Sequence, residues 1–386
     1  MKINPPMRLP WRKEDVPHAI LDILRGCNIR CRDCYNLLPA QMKSLDEIDG
    51  ELDTLMRLRR LHSVSIVGGE ITLHPDLVEI VRRVRKRGLF AELFTNGVNL
   101  DDGMLTRLRD AGANVIFLHI EPCQRRPDLP PNATGEDVRR LRSEKAALVT
   151  RHGMEVGLTI TVYPEHPGEL DEAVKDVLSS PWFSYLLVTF WRDVYGMPAL
   201  HGNLDDGMRA RSRVTTGGGR REAHSARTLF PFLEKRFGLR PFAFLGSNVD
   251  ADDPRWVSFM AAAVHRENIA TQSCALRPTW IEKGFLTAYR RLTGRYPFYQ
   301  QPRRLQQLIH LLLNGLASGC AGRHVAVLKQ ALRPGARLSV KRFLFQWPAT
   351  IDAEGRVVHC EGCPDAVTQA GGLVPLCISD RVARRA

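Results

Sequence analysis

The sequence predicts an α/β fold: a partial (βα)6 barrel of the TIM type, then a mainly helical middle region and a small C-terminal cysteine-rich β-hairpin module. Two observations predict it. From about Ala19 to Arg192, six short aliphatic runs alternate with amphipathic stretches, the pattern of successive parallel βα units. Near the end, two short apolar runs flank a turn and lead directly into Cys360. An open doubly wound sheet would produce the same alternation, and periodicity alone does not separate the two.

The expected strands are Ala19–Leu24, Ser63–Val67, Ala91–Phe94, Val115–Ile120, Val156–Val162 and Tyr185–Phe190, each bounded by Gly, Pro, Asn or charge. The expected helices between them are Leu45–Leu61, Pro75–Arg87, Asp102–Ala111, Glu136–His152 and Glu169–Leu178. Ser44 ahead of an acidic first turn, and Thr134 ahead of Glu136, are start signals. Residues 15–200 are thus expected to form the barrel. Residues 201–228, where arginines surround Gly217-Gly218-Gly219, read as a basic flexible linker. Residues 229–340 read as mainly helical, with Leu305, Leu308, Ile309, Leu312 and Leu316 on a stripe expected to be core. Residues 341–386 form the last module: Ala349–Ile351, a turn over Asp352–Gly355 and Arg356–Val358 make its hairpin.

No apolar h-region follows the N-terminus, and the stretch Leu305–Leu316 is too short to span a bilayer. A cytoplasmic, reducing compartment is therefore expected, where the nine cysteines include metal ligands rather than forming structural disulfides. The net charge of +13 favours an anionic partner. The arginines are scattered and not interleaved with aromatic residues, which argues against nucleic acid.

Cys27, Cys31 and Cys34 are separated by three and then two residues, in a loop directly after the first strand. An α/β barrel places its active-site loops there. Three thiolates on one loop can hold three irons of a [4Fe–4S] cluster and leave the fourth iron open. A structural zinc would want a fourth ligand nearby, and this loop has none.

This motif resembles that of the radical S-adenosylmethionine (SAM) superfamily. The resemblance implies that the open iron chelates the amino and carboxylate groups of SAM. One-electron reduction, from a donor such as flavodoxin or ferredoxin, then yields methionine and a 5′-deoxyadenosyl radical that abstracts hydrogen from substrate. Gly68, Gly69 and Glu70, closing the second strand, resemble the segment that meets the SAM amino group, and Thr95-Asn96-Gly97 resembles a common segment ending the third strand. His119 and Glu121 stand where the family places its fourth-strand polar pair. Before the last cysteine the family has an aromatic residue against adenine; here that position is Asp33, and Tyr35 follows two places later. After Gly68-Gly69-Glu70 the family often has proline, and here that position is Ile71. The likeness covers roughly residues 15–200.

At the other end, Cys360 and Cys363 are followed after thirteen residues by Cys377. A close pair plus a distant third is metal-site spacing. The segment resembles the SPASM and twitch extensions of the same superfamily, which implies an auxiliary [4Fe–4S] cluster with Cys320 as candidate fourth ligand. A zinc knob completed by His359 or Cys320 is the alternative. Cys123 and Cys274 read as buried small hydrophobes, although Cys123, at the active-site end of strand four, is a candidate hydrogen-atom donor.

The expected function is abstraction of hydrogen from an unactivated C–H bond of a small anionic substrate. Peptide or protein modification is one alternative, and a non-catalytic metal or electron-transfer protein binding nucleic acid is another.

Overall fold

The computed structural model describes residues 6–31, 34, 41–122, 124–163, 166, 168–191, 225–267, 269–299, 303–319, 321–352, 354 and 356–379. The first half runs β1 (Met7–Arg8), β2 (His18–Leu24), the two-residue β3 (Arg30–Cys31), α1 (Leu45–Leu58) and β4 (Ser63–Gly68). It continues with α2 (Leu77–Lys86), β5 (Phe90–Thr95), α3 (Asp102–Ala111), β6 (Val115–His119), the short β7 (Gln124–Arg125) and α4 (Gly135–Arg151). β8 (Glu155–Val162), α5 (Gly168–Ser179) and β9 (Phe183–Phe190) complete it.

All six expected strands form, as β2, β4, β5, β6, β8 and β9, and they lie side by side in parallel in that order. The whole of β2 is buried, as befits strands covered on both faces. The helices start where their caps dictate. Ser44 accepts from the Glu47 amide and Glu47 from the Ser44 amide at the head of α1, and Thr134 and Asp137 repeat this reciprocal cap on α4. Each helix turns its apolar stripe to the sheet, as with Ile48, Leu52 and Leu55 of α1.

The second half comprises α6 (Ala226–Phe237), β10 (Pro241–Gly246), β11 (Pro254–Arg266), β12 (Ile269–Leu276), α7 (Trp280–Thr293), α8 (Arg304–Ala317) and α9 (Ala321–Ala331). Then come β13 (Arg337–Gln346), β14 (Thr350–Ile351), β15 (Val357–Val358), β16 (Ala366–Gln369), β17 (Gly372–Pro375) and α10 (Leu376–Ser379). β13 pairs parallel with β9, placing Arg342 beside Tyr185 and Gln346 beside Thr189. β11 pairs antiparallel with β13, β10 with β11, and β1 lies parallel to β10. The result is a mixed α/β structure with one eleven-stranded, largely parallel sheet. Among the described residues no pairing joins β1 to β2, so the barrel is not closed.

Three readings of the sequence need correction. Residues 241–276, expected to be helical, form β10, β11 and β12. The Ala261-Ala262-Ala263 run has helical propensity, but its backbone pairs with β12 on one side and β13 on the other, its side chains are buried, and tertiary packing decides. The expected module boundary at residue 341 falls inside β13, and the expected linker end at 228 falls inside α6. The leucine stripe of α8 is not core: Leu305 and Leu316 are each 68% exposed, Ile309 47% and Leu312 45%. The buried face of α8 is Leu311, Asn314 and Gly315. There a Cβ on Gly315 would stand 2.7 Å from the His324 Cβ, so glycine lets α8 and α9 close together. Periodicity reported an apolar helix face without saying which face is covered. The remainder of the expected linker lies outside the described residues.

Candidate active site

Main-chain bonds from Arg25 to Gln41 (2.7 Å) and from Lys43 to Ile23 (3.0 Å) bring the chain back beside the end of β2. The segment carrying Cys27, Cys31 and Cys34 is therefore a closed excursion at the C-terminal mouth of the parallel strands. β3 pairs with β7, setting Cys31 opposite Gln124. Gly69 packs against the base of the loop: a Cβ there would lie 2.2 Å from the Gly26 oxygen, while the Glu70 amide donates to that same oxygen at 2.9 Å. Only glycine permits this approach.

Cys27 and Cys34 are exposed and Cys31 is half-buried. Burial pushes the Cys31 thiol up to about 12, and the neighbouring Cys34, Glu121 and Cys27 add to the effect. Among the described residues no three His, Cys, Asp or Glu side chains converge into a closed metal-holding group. The thiols stand as neighbours on the lip. Three soft sulfur donors beside a backbone cradle are the donor set an iron–sulfur cluster takes, and the residues fit that group.

The polar residues expected around SAM gather at the same mouth. Glu70, 1% exposed, accepts from the Thr72 amide (3.0 Å), the Thr72 hydroxyl (2.7 Å), the Thr95 hydroxyl (2.6 Å) and the Asn96 amide (2.7 Å). A carboxylate has about four acceptor sites. Glu70 therefore braces the ends of β4 and β5, with three of these bonds on Oε1 and one on Oε2, which keeps acceptor capacity. Asn96 donates to the Asn28 side chain at 2.7 Å and stands 3.9 Å from the Cys27 sulfur. His119 and Glu121 are hydrogen-bonded at 2.8 Å, and the Thr161 amide donates to the same Glu121 oxygen. Tyr35, Cys123 and Cys320 lie outside the described residues. Cys274 is buried in β12.

Sequence reasoning missed the residues that hold this mouth together. Gln124 accepts from the Glu121 amide and donates to the His119 carbonyl. The Arg126 side chain, fully enclosed, donates to the Asn96 carbonyl at 2.8 Å and forms a two-pronged pair with Asp128 at 2.6 and 2.9 Å. Their ties to Cys31 and Asn96 join segments remote in the chain, and no local pattern marks those.

At the opposite end of β2, Cys360 and Cys363 are buried and in mutual contact. Cys360 bridges to Ser247, and the Glu361 amide donates to the Gly246 carbonyl at 2.9 Å. Gly362 has φ +60°, and a Cβ on it would stand 2.5 Å from the Trp11 oxygen, so the turn between the cysteines needs glycine. The β16–β17 hairpin pairs Ala366 with Pro375, and the Leu376 amide, just before Cys377, donates to the Asp365 carbonyl, while Cys360, Cys363 and Cys377 do not converge on one metal-holding point. Buried Arg59 donates to the carbonyls of His18 (2.6 Å) and Cys363 (2.8 Å). β2, at seven residues, holds the two cysteine sites roughly 20 Å apart.

Between them lies a cavity of about 740 Å³. Its lining extends from His18, the first residue of β2, to Phe94, two positions before Asn96, and is mainly apolar, with aromatic residues such as Phe117, Tyr185, Trp256 and Phe298. A polar row crosses it. The Ser63 hydroxyl meets His18 Nδ1 at 2.8 Å, His18 Nε2 meets the Ser65 hydroxyl at 3.1 Å, and Ser65 donates to Glu92 at 3.0 Å. Burial lifts Glu92 to about 7 and Asp365 to about 6, and drops His18 to about 3. Gln346 donates to Asp365 at 2.6 Å, and Arg342 to the Tyr185 hydroxyl at 2.8 Å.

A parallel barrel with three loop thiols at its mouth, a glycine cradle beside them and a cavity beneath defines a cofactor-dependent barrel of the iron–sulfur kind. Residues 21–179 match the model of the radical SAM superfamily, and the chain carries that domain, which belongs to enzymes working with a [4Fe–4S] cluster and SAM. It is 29% identical over 194 residues to PqqA peptide cyclase of Methylorubrum populi, covering 45% of this chain and 47% of that one. It is 25% identical to the tungsten-containing aldehyde ferredoxin oxidoreductase cofactor-modifying protein of Pyrococcus furiosus, covering 42% and 48%. The chain thus spans about half the length of these relatives. Among solved structures, Streptococcus suis SuiB bound to S-adenosylmethionine aligns with TM-score 0.36 and 15% identity, over 47% of this chain and 42% of that one. No helix among the described residues is long and apolar enough to cross a membrane.

Proposed function

We propose that this chain reductively cleaves SAM and abstracts hydrogen from an unactivated C–H bond of a small substrate held inside the barrel. Cys27, Cys31 and Cys34 would hold the SAM-cleaving cluster, and Gly69, Asn96, His119 and Glu121 would line the SAM site. A donor such as flavodoxin or ferredoxin would supply the electron. When bound, the cluster and SAM supply the 5′-deoxyadenosyl radical; the chain's own part is positioning and exclusion of water. Its apolar and aromatic walls would limit access of water, and Glu92, Asp365 and Arg342 are among its polar lining residues.

The observation that carries this reading is the cavity's position between two cysteine sites at opposite ends of β2. We infer an auxiliary [4Fe–4S] cluster at Cys360, Cys363 and Cys377. The buried cation of Arg59 beside that pair suits a thiolate-bound cluster, whose charge is negative. A peptide substrate is the second reading, carried by the 29% identity to a PqqA peptide cyclase.

Anaerobic reconstitution with iron and sulfide, followed by SAM and dithionite, tests the proposal. We expect 5′-deoxyadenosine, lost in Cys31→Ala. Iron should fall from about eight to about four per chain in Cys360→Ala/Cys363→Ala. Reconstituted protein that forms no 5′-deoxyadenosine refutes the catalytic reading, and zinc at the C-terminal site refutes the second cluster.

A further inference from the structure

Ten of the fifteen large apolar side chains exposed among the described residues lie between Trp280 and Leu332, on or beside α7, α8 and α9. Trp280 is 74% exposed and Leu292 85%. A soluble chain scatters such residues singly, and their concentration on one face marks an interaction surface. The charge is concentrated in the same place. Residues 270–349 hold thirteen Lys and Arg against one acid, Glu282, and so account for twelve of the thirteen net positive charges of the whole chain. Glu282 is itself buried, accepting from Thr279 and Asn314. Arg290 is paired with Asp15 and Lys341 is buried on β13, while the outer face of the three helices presents leucines together with the exposed cations Lys283, Arg291 and Lys329.

The third feature is continuity with the cavity. Phe285, Ile309 and Leu313 are exposed apolar residues of this patch and also line the cavity. The cavity mouth thus opens within the apolar surface. The lining itself is mainly apolar, and it carries three carboxyl groups, Glu92, Glu282 and Asp365. The positive charge that suggested an anionic partner is outside, around the mouth.

We propose that α7, α8 and α9 dock on an anionic lipid bilayer and that the cavity receives the apolar chain of a lipid drawn from it. Amphipathic helices rich in Leu, Trp, Lys and Arg lie in the interface plane rather than across it, and the 14 residues of α8 are too few to span a bilayer. A second copy of the chain fits less well, because a symmetric dimer would press two like-charged faces together. A nucleic acid would match the cations and leave the exposed leucines unused. The docking stands on the surface alone; the lipid as substrate rests on the catalytic reading above.

The test uses the full chain in sedimentation with vesicles of phosphatidylcholine alone or mixed with phosphatidylglycerol. Binding is expected with the anionic vesicles, weakening with added salt. It should fall roughly tenfold or more in L305S/L312S/L316S and in K283Q/R291Q/K329Q, all exposed positions outside the cavity. Circular dichroism and lipid-free 5′-deoxyadenosine formation should stay unchanged in both variants, so a failure of docking and a failure of catalysis are read separately. Absence of binding to either vesicle overturns the proposal. So does a dimer in solution that the leucine variant dissociates, or nucleic-acid binding that the leucine variant leaves intact.

The seat of the chain is tested with brominated-acyl lysophosphatidylglycerol. Trp11 and Trp256 line the cavity and are buried. Tryptophan quenching should persist in Trp280→Phe, and quenching abolished by that substitution would confine the lipid to the surface.

Discussion

The side-chain amide of Asn96 donates to the side-chain oxygen of Asn28 across 2.7 Å, joining the end of β5 to the loop that carries the three cysteines. Asn96→Ala removes that tie and should cost about 1 kcal/mol of stability. Asn96→Asp places a carboxylate near the Cys27 sulfur, which Asn96 approaches at 3.9 Å, and near Glu70. Like charges disfavour ionised thiolates there, so the aspartate variant should retain less iron than the alanine variant. Denaturant melts and iron retention under chelator check both expectations. Equal iron in the two variants would remove Asn96 from the cluster's surroundings.

Gly69→Ala introduces a Cβ 2.2 Å from a main-chain oxygen, and backbone cannot yield as a flexible side chain does. The expected cost is about 1–3 kcal/mol, with the cysteine loop displaced. The control is Gly50→Ala in α1, where a Cβ meets nothing within 4 Å. That change should stabilise the helix by about 1 kcal/mol. Thermal melts of the pair and their 5′-deoxyadenosine yields give the comparison.

Glu92 gives a pH dependence of definite sign. Burial raises its folded pKa to about 7, above the ordinary carboxylate value it has in the unfolded chain. Between those two values the folded chain holds a proton that the unfolded chain has released. Unfolding free energy therefore falls as pH rises from about 4.5 to about 7, and the loss is complete above that. Glu92→Gln should flatten this slope and leave the variant more stable above pH 7 by about 3 kcal/mol, at about 1.4 kcal/mol per unit. Urea melts at several pH values measure it, and parallel curves for the two proteins would contradict it.

Arg59 is buried and donates to the carbonyls of His18 and Cys363. Arg59→Met leaves those oxygens without their donor and should cost about 2–3 kcal/mol. It also removes the cation beside the Cys360–Cys363 pair. Reconstituted R59M should lose iron from the auxiliary site while retaining SAM cleavage at the three-cysteine loop. Full iron content would show that the cation serves packing alone.

The barrel strands were legible because each is a short aliphatic run, with its period set by burial on both faces. Ser44 and Thr134 marked their helix starts through local chemistry. The three-cysteine loop and the Gly68-Gly69-Glu70 segment were legible for the same reason, since spacing in the chain is spacing in the loop. What escaped was long-range. The pairing of Cys31 with Gln124 and the reach of Arg126 to Asn96 depend on a fold that brings distant segments together. β11 escaped because its alanines favour a helix in isolation and become strand only between neighbours. The stripe on α8 showed amphipathicity correctly, but its burial is a property of partners that a one-dimensional pattern does not contain.

The parallel ladder between β13 and β9 has a consequence for how such a chain can be divided or recombined. A fragment ending near residue 200 would retain every segment that matches the superfamily, yet Tyr185–Thr189 would face solvent as a bare hydrogen-bonding margin. Margins of that kind invite intermolecular pairing and precipitation. Exchanging the cysteine-rich tail between related proteins therefore requires carrying Arg337–Gln346 with it, so that the graft brings its own seam.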